Sequence, residues 1–154
     1  MKQTEFPELY LKNQLCFPLY ATSRLTTKIY TPFLKSLDIT YPQYLVLMAL
    51  WENNNQRVNS IGERLFLESN TLTPLLKRLE KKGLIERKRS SKDERTVVIS
   101  LTKKGTTLKK KASEVPAKIL SSFQDNTISE QEIVIFQQTL FKLLNILGNK
   151  TKGI

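Results

Sequence analysis

Residues 69–89, SNTLTPLLKRLEKKGLIERKR, decide how this chain is read. Leu72, Leu75, Leu76 and Leu79 recur at helical spacing and mark one buried face, and Gly83 stands where a helix would stop. Past Gly83 the period changes. Leu84-Ile85-Glu86-Arg87 reads as a short strand, and the β-branched run Thr96-Val97-Val98-Ile99-Ser100-Leu101 reads as its return, with Ser90-Ser91-Lys92-Asp93 as a polar turn. Upstream, Ser60-Ile61-Gly62-Glu63 reads as a capping box that opens a short helix to about Phe66, and Glu68-Ser69-Asn70 reads as a turn. Two short helices across a tight turn, followed at once by a basic hairpin, make a winged helix-turn-helix.

Further out the chain is helical. From Leu15 to Leu37 apolar residues recur at helical spacing, Leu25, Ile29 and Phe33 among them, and Pro18 requires the helix to begin near Leu15 to Phe17. Thr40, Pro42 and Gln43 form a helix start ahead of the apolar run YLVLMALW, which ends in the loop Asn53-Asn54-Asn55. Thr102 caps a long basic helix that Pro116 interrupts. Ser129-Glu130-Gln131-Glu132 opens a last helix whose stripe of Ile133, Phe136, Leu140, Leu143, Leu144 and Leu147 ends at Gly148, with a loose tail from Asn149. The fold class is mostly α with a small β-hairpin wing, in a single subunit spanning residues 1–154. Residues from about 40 to 102 form the winged DNA-binding region. Residues from about 8 to 38 and from about 103 to 148 form dimerisation helices, because they hold more apolar surface than one small winged domain needs.

Composition narrows the function. The 154 residues hold no histidine and one cysteine, Cys16. That excludes imidazole general bases, histidine metal sites, cysteine-cluster zinc sites and an intrachain disulfide, so no cofactor or metal is expected. The longest apolar run, Tyr44 to Trp51, is too short to span a bilayer, and the N-terminus lacks the apolar core of a signal peptide, so a cytoplasmic protein without membrane contact is expected. Lysine and arginine number 25 against 14 acidic residues, a net charge of +11. The stretch from Lys77 to Lys111 holds 14 basic residues and four acidic ones, +10 of that total. A solvated lysine-rich face is the plain reading of such a run. Charge concentrated on one stretch is also the footprint of a polyanion binder.

The second helix of the motif is the natural reading head for double-stranded DNA. Ser69, Asn70, Thr71 and Thr73 on its first turns can bond base edges or phosphates, and Lys77 and Arg78 can reach phosphates further along. Arg87, Lys88 and Arg89 flank the hairpin. Arg95 at its tip can enter a minor groove, and Asp93 is placed to orient it. One such unit touches one half-site, so a homodimer is expected on a pseudo-palindromic operator.

At this point the sequence resembles the MarR family of winged-helix regulators. The motifs are Gly62-Glu63-Arg64-Leu65, the run from Ser69 to Glu80, Gly83-Leu84-Ile85, and Asp93-Glu94-Arg95 with Ile99-Ser100-Leu101-Thr102 behind it. Asn13-Gln14-Leu15-Cys16-Phe17-Pro18-Leu19-Tyr20, Ile39-Thr40-Tyr41-Pro42-Gln43-Tyr44 and Leu72-Thr73-Pro74 are similar, more narrowly, to its organic-hydroperoxide-sensing, OhrR-like branch of one-cysteine type. The resemblance implies a dimeric repressor rather than an enzyme, with Cys16 as the redox-sensing thiol and Tyr30 and Tyr41 bonding it across the dimer interface. It implies an organic hydroperoxide as oxidant and release of the operator on oxidation. Asn70 stands where relatives often have glycine, and Pro18 replaces an ordinary helix former. No second cysteine exists to resolve the oxidised thiol, which leaves a low-molecular-weight thiol, overoxidation or a link between two copies of Cys16. The chemistry is consistent on its own terms, because a thiolate attacks peroxides and both a helix start and tyrosine hydroxyls favour the anion. Three other readings stay open: a regulator switched by a small phenolic or apolar ligand between outer helices and winged domain, a one-cysteine thiol peroxidase, and an unswitched DNA coater. In the last two Cys16 is a catalyst or an inert buried thiol.

Overall fold

A computed structural model describes residues 6–90, 93, 96–123 and 127–151. Two short 3-10 turns, Pro7–Leu9 and Leu11–Asn13, lead into α1 (Cys16–Lys35) and α2 (Tyr41–Glu52). Then come β1 (Gln56–Arg57), α3 (Val58–Leu65), α4 (Ser69–Lys81), β2 (Ile85–Arg89) and β3 (Val97–Leu101). The chain continues through α5 (Lys103–Ala112), α6 (Val115–Ser121) and α7 (Glu130–Thr151). This is a mostly helical protein with a three-stranded antiparallel wing sheet, ordered β1-β3-β2. The register pairs Ile85 with Leu101 at the base of the hairpin and Arg89 with Val97 towards its tip.

Several helix starts follow the expected chemistry. The Thr40 amide donates to Gln43 Oε1 at 3.0 Å, and Gln43 is buried. Thr102 Oγ1 accepts from the Gly105 amide at 3.1 Å and donates to the Gly83 carbonyl at 2.6 Å, which ties the start of α5 to the end of α4. The Ser129 amide donates to Glu132 Oε2 at 2.8 Å, and the Glu132 amide returns to Ser129 Oγ at 3.3 Å. Pro116 sits in the first turn of α6, so it starts a new helix instead of kinking an old one.

Others differ from the sequence reading. Helix α3 begins at Val58, so Ser60 lies inside it and caps nothing. The cause is β1: Gln56 pairs with Ile99, which fixes the backbone up to Arg57 and sends the chain directly into helix. The asparagine loop is more than a connection, since Asn54 Oδ1 accepts from the Leu101 amide at 2.9 Å and Asn55 Oδ1 from the Ser100 hydroxyl at 2.7 Å. Helix α4 starts at Ser69, with Glu68 as the extended residue before it. Helix α7 runs through Gly148 to Thr151, because no proline or competing cap stops it there.

One core joins these elements. Val46, Leu47 and Leu50 of α2, Ile61 of α3, Leu72, Leu76 and Leu79 of α4, Ile85 and Ile99 of the sheet, and Ala112, Val115 and Ile119 of α5 and α6 are buried together. Helix α1 adds only Leu34 to the buried set, and α7 adds nothing. At Gly105 the backbone crossing is so close that a Cβ would lie 2.0 Å from the Leu84 carbonyl oxygen. Gly83 takes the left-handed conformation (φ 68°) that ends α4.

Candidate thiol site and nucleic-acid interface

The reading head is built from the core outward. Leu72, Leu75, Leu76 and Leu79 anchor α4. A helix held by that face turns Ser69, Asn70, Thr71, Lys77 and Arg78 to solvent, and all five are exposed. Thr73 is half-buried, in a cleft it shares with Arg87. On β2, Lys88 and Arg89 are exposed, whereas Arg87 leans inward with Nη1 3.8 Å from Glu80 Oε2. Its Nε is buried without a hydrogen-bond partner among the described residues. The structure therefore separates the three basic residues of β2: two are exposed, and one is held against α4. In the wing, Asp93 Oδ2 accepts from the Thr96 hydroxyl at 2.8 Å, and the Thr96 amide donates to the Asp93 carbonyl at 2.9 Å. Asp93 thus closes the turn onto Thr96. Arg95 lies outside the described residues.

The basic run splits by position. Lys77 and Arg78 of α4 and Lys88 and Arg89 of β2 are exposed. Lys82, Lys103, Lys104 and Lys111 line a cleft at the base of the hairpin, where α4 ends and α5 begins.

Cys16 is the first residue of α1 and is exposed. Pro18 falls in the first turn, where a missing amide costs no helical hydrogen bond, so it leaves the thiol at the helix start. Tyr30 lies fourteen residues on, and helical rise puts roughly 21 Å between the two along the axis of α1. Two side chains cannot span that. Tyr30 instead packs on Tyr41, with ring centroids 4.7 Å apart, and on Tyr44 at 6.2 Å, and Tyr44 meets Trp51 edge-on at 6.1 Å. Burial raises all three phenol pKa values above the ordinary value; Tyr41 also raises those of Tyr30 and Tyr44 by charge repulsion, and Tyr44 that of Tyr30. The tyrosines are therefore neutral hydrogen-bond donors at ordinary pH. The structure brings Tyr30 and Tyr41 together and leaves Cys16 apart from both within one chain.

The sequence reading quoted Tyr20 in a motif and gave it no role. It lies one turn beyond Cys16, at the i, i+4 spacing that shares a face, and it is exposed. Its hydroxyl accepts from Arg24 Nη1 at 3.1 Å. The spacing from the lone cysteine was the signal that could have found it.

Large apolar side chains are exposed on both outer helices: Leu15, Tyr20 and Leu25 are each more than half exposed, as are Ile135, Phe136, Phe141 and Ile146 of α7. Among the described residues no helix is long and apolar enough to cross a membrane, and no group of three metal-ligating side chains gathers.

Comparison with known proteins fits this geometry. Residues 28–112 match the family model described as transcriptional regulator SarA/Rot, where the motifs had pointed to the MarR family. The chain is 49% identical over 148 residues to the organic hydroperoxide resistance transcriptional regulator of Bacillus subtilis, covering 96% of this chain and 99% of that one. Its fold matches reduced AbfR bound to DNA with a TM-score of 0.74 and 42% identity, covering 96% and 99%. It also matches overoxidised AbfR bound to DNA with a TM-score of 0.70 and 40% identity, covering 94% and 99%.

Proposed function

Because the chain belongs to the SarA/Rot family of winged-helix transcriptional regulators and is a DNA-binding regulator of the MarR/SarA-like kind, we propose that it is a dimeric repressor that senses organic hydroperoxides through Cys16. Its N- and C-terminal helices form the dimerisation region in this reading, and the winged unit reads one half-site of a pseudo-palindromic operator. The observation that carries the proposal is the separation of Cys16 from the Tyr30–Tyr41 pair. The thiol at the start of α1 and the phenol pair formed by Tyr30, some 21 Å down that helix, and Tyr41 of α2 would meet across a second copy that lays its own α1 alongside. The exposed apolar faces of α1 and α7 support such a pairing.

The chemistry then runs in two balanced steps. The Cys16 thiolate attacks the distal peroxide oxygen, the O–O bond breaks, and the alkoxide takes a proton from solvent and leaves as the alcohol while Cys16 becomes a sulfenic acid. A low-molecular-weight thiol next displaces the sulfenic hydroxyl as water and leaves a mixed disulfide. The added bulk beside the packed tyrosines of the partner shifts the outer helices, and with them the spacing of the two reading heads. We tie release to this bulk. An overoxidised relative has been crystallised on DNA, so extra oxygens alone are a weaker cause of release.

Ser69, Asn70, Thr71, Lys77, Arg78, Lys88, Arg89 and Arg95 are assigned to DNA, with Asp93 shaping the wing. Thr73 and Arg87 are assigned supporting roles from their half-buried places beside each other. The test is a gel-shift titration on the promoter of the chain's own gene. Reduced protein should bind tightly, and protein treated with cumene hydroperoxide and a small thiol should release. The Cys16→Ser variant should bind and ignore the oxidant.

A second reading has its own support. An open cleft of about 380 Å³ between α1 and the start of α2 is lined by Thr27, Thr31, Leu34 and Tyr41, and would suit a small phenolic ligand. A Cys16→Ser variant that still releases DNA in peroxide-treated extracts would favour it over the thiol.

A further inference from the structure

The thiol reading uses the hydroxyls of Tyr30 and Tyr41 and leaves the contact between their rings without a task. The chain has five tyrosines, and they fall into two sets. Tyr10 and Tyr20 each face a cation: Lys12 Nζ lies 5.8 Å from the first ring's centroid, and the Arg24 guanidinium 5.6 Å from the second's. Tyr30, Tyr41 and Tyr44 face one another. The tightest pair is Tyr30 with Tyr41, whose centroids are 4.7 Å apart at a tilt of 53°, against 6.2 Å for Tyr30 with Tyr44. At 4.7 Å two phenol rings touch.

Both rings of that pair are held in place and open to small reagents. Tyr30 sits one turn before Leu34, the residue that α1 buries in the core. Tyr41 is the first residue of α2, fixed by the Thr40–Gln43 capping bond and by the buried Gln43 and Tyr44 that follow it. Tyr30 and Tyr41 are half-buried, whereas Tyr44 is 3% exposed, so a small oxidant reaches the first two and is kept from the third. Burial keeps both phenols neutral at ordinary pH, so each meets an oxidant as an O–H hydrogen donor and not as a phenolate.

We propose that Tyr30 and Tyr41 are an oxidative modification site, at which alkoxyl radicals join the two rings into a dityrosine within one chain. Such radicals form when a one-electron reductant, ferrous iron for example, splits the O–O bond of an organic hydroperoxide and leaves hydroxide beside the radical. One alkoxyl radical takes the hydrogen atom of the Tyr30 hydroxyl and a second takes that of Tyr41, and each departs as an alcohol. The two tyrosyl radicals pair their electrons in a carbon–carbon bond between ring positions next to the hydroxyls. The hydrogen on each joined carbon then moves to its phenolic oxygen and restores the aromatic ring. The chain loses two hydrogen atoms, and two radicals are reduced. The bond fastens the outer helix α1 to the start of α2, and no thiol reverses it. Cys16 takes no part, standing roughly 21 Å from Tyr30 along α1.

The experiment uses the full-length Cys16→Ser protein, which lacks the one thiol that would compete as a hydrogen donor, so its outcome is independent of the thiol switch. The protein is treated without air with cumene hydroperoxide and ferrous iron, or with cumene hydroperoxide alone, and then digested with trypsin. Iron and hydroperoxide together should give a linked pair of peptides, 29–35 with 36–57, two hydrogen masses below their sum and with dityrosine fluorescence. Hydroperoxide alone should give none. Peptide 29–35 holds Tyr30 as its one tyrosine and 36–57 holds Tyr41 and Tyr44, so phenylalanine variants assign the bond. Tyr30→Phe and Tyr41→Phe should each lose it, and Tyr44→Phe and Tyr20→Phe should keep it. Each variant retains its ring, and unchanged circular dichroism separates loss of the bond from loss of the fold. Unfolding in urea before treatment should lower the yield, because the fold supplies the contact. The proposal is overturned by folded protein that gives no linked pair or only hydroxylated tyrosines, by links only between chains, by a bond that survives Tyr41→Phe, or by equal yield in urea.

Discussion

From α2 to β3 the chain closes on itself; along α7 it does not. Leu47, Leu50, Ile61, Leu72, Leu76, Leu79, Ile85 and Ile99 are at most 2% exposed, while the 22 residues of α7 bury none of their side chains. Phe136, Phe141 and Ile146 stay more than half in solvent. Both regions are rich in large aliphatic and aromatic residues, so composition does not separate them. Packing does. The winged unit has elements on several sides of every buried leucine, whereas α7 and the first turns of α1 have one side covered at most. An exposed apolar face of that length is the kind of surface that a partner covers, and the proposed dimer uses it so. The first region carries the residues assigned to DNA, and the second is the surface that the proposed partner copy would cover.

Substitutions can break this contrast from either side. The largest effect is expected on α7. Replacing Phe141 and Leu144 together by glutamate should leave the far-ultraviolet spectrum and the melting of the winged core nearly intact. It should convert the protein from pairs to single subunits in sedimentation equilibrium, and cost about 10²–10⁴ in operator affinity, as two linked reading heads become one. Undiminished pairing would remove α7 from the interface. On the other side, Leu76→Ala opens a cavity where no side chain can relax outward. It should cost about 2–5 kcal/mol in urea unfolding while leaving the paired state of the folded fraction unchanged.

Two smaller effects sharpen the division. Arg95→Ala should weaken operator binding by about 1–3 kcal/mol without touching stability, measured by fluorescence anisotropy at fixed salt; equal affinity would take the wing tip out of the interface. The tyrosine cluster makes a pH prediction. Burial holds the Tyr30, Tyr41 and Tyr44 phenols neutral to higher pH than in the unfolded chain, so above about pH 10 the native state binds more protons. Their contribution is whole below that pH, and stability should fall as pH rises through the raised native values. Tyr30→Phe with Tyr41→Phe should flatten that fall in urea midpoints read between about pH 9 and 11.

The winged unit was legible because its signals are local. Four leucines at helical spacing, a glycine stop and a β-branched return strand each restrict a short window, and the structure keeps all three within a residue or two. What escaped was set from a distance. Strand β1 is two residues long and exists only because β3 offers it a ladder, so the start of α3 moved with it. Arg87 reads as one more surface cation beside Lys88, but strand alternation turns it towards Glu80. The gathering of Lys82, Lys103, Lys104 and Lys111 around one cleft is equally invisible in sequence, because it depends on where α5 crosses Leu84. The candidate thiol residues came as a list from the resemblance alone, and the proposed dimer is the reading that the 21 Å along α1 supports.

The central claim is that Cys16 of one subunit is served by Tyr30 and Tyr41 of the other. The direct measurement is the rate of Cys16 oxidation by cumene hydroperoxide in mixed pairs, each joining a Cys16→Ser subunit to a Tyr30→Phe/Tyr41→Phe subunit. The sole thiol in such a pair belongs to the tyrosine-less chain and faces intact tyrosines across the interface. It should oxidise as fast as the wild type, while pairs of two tyrosine-less subunits oxidise slowly. A mixed pair as slow as those, or tyrosine-less pairs as fast as the wild type, would contradict the account.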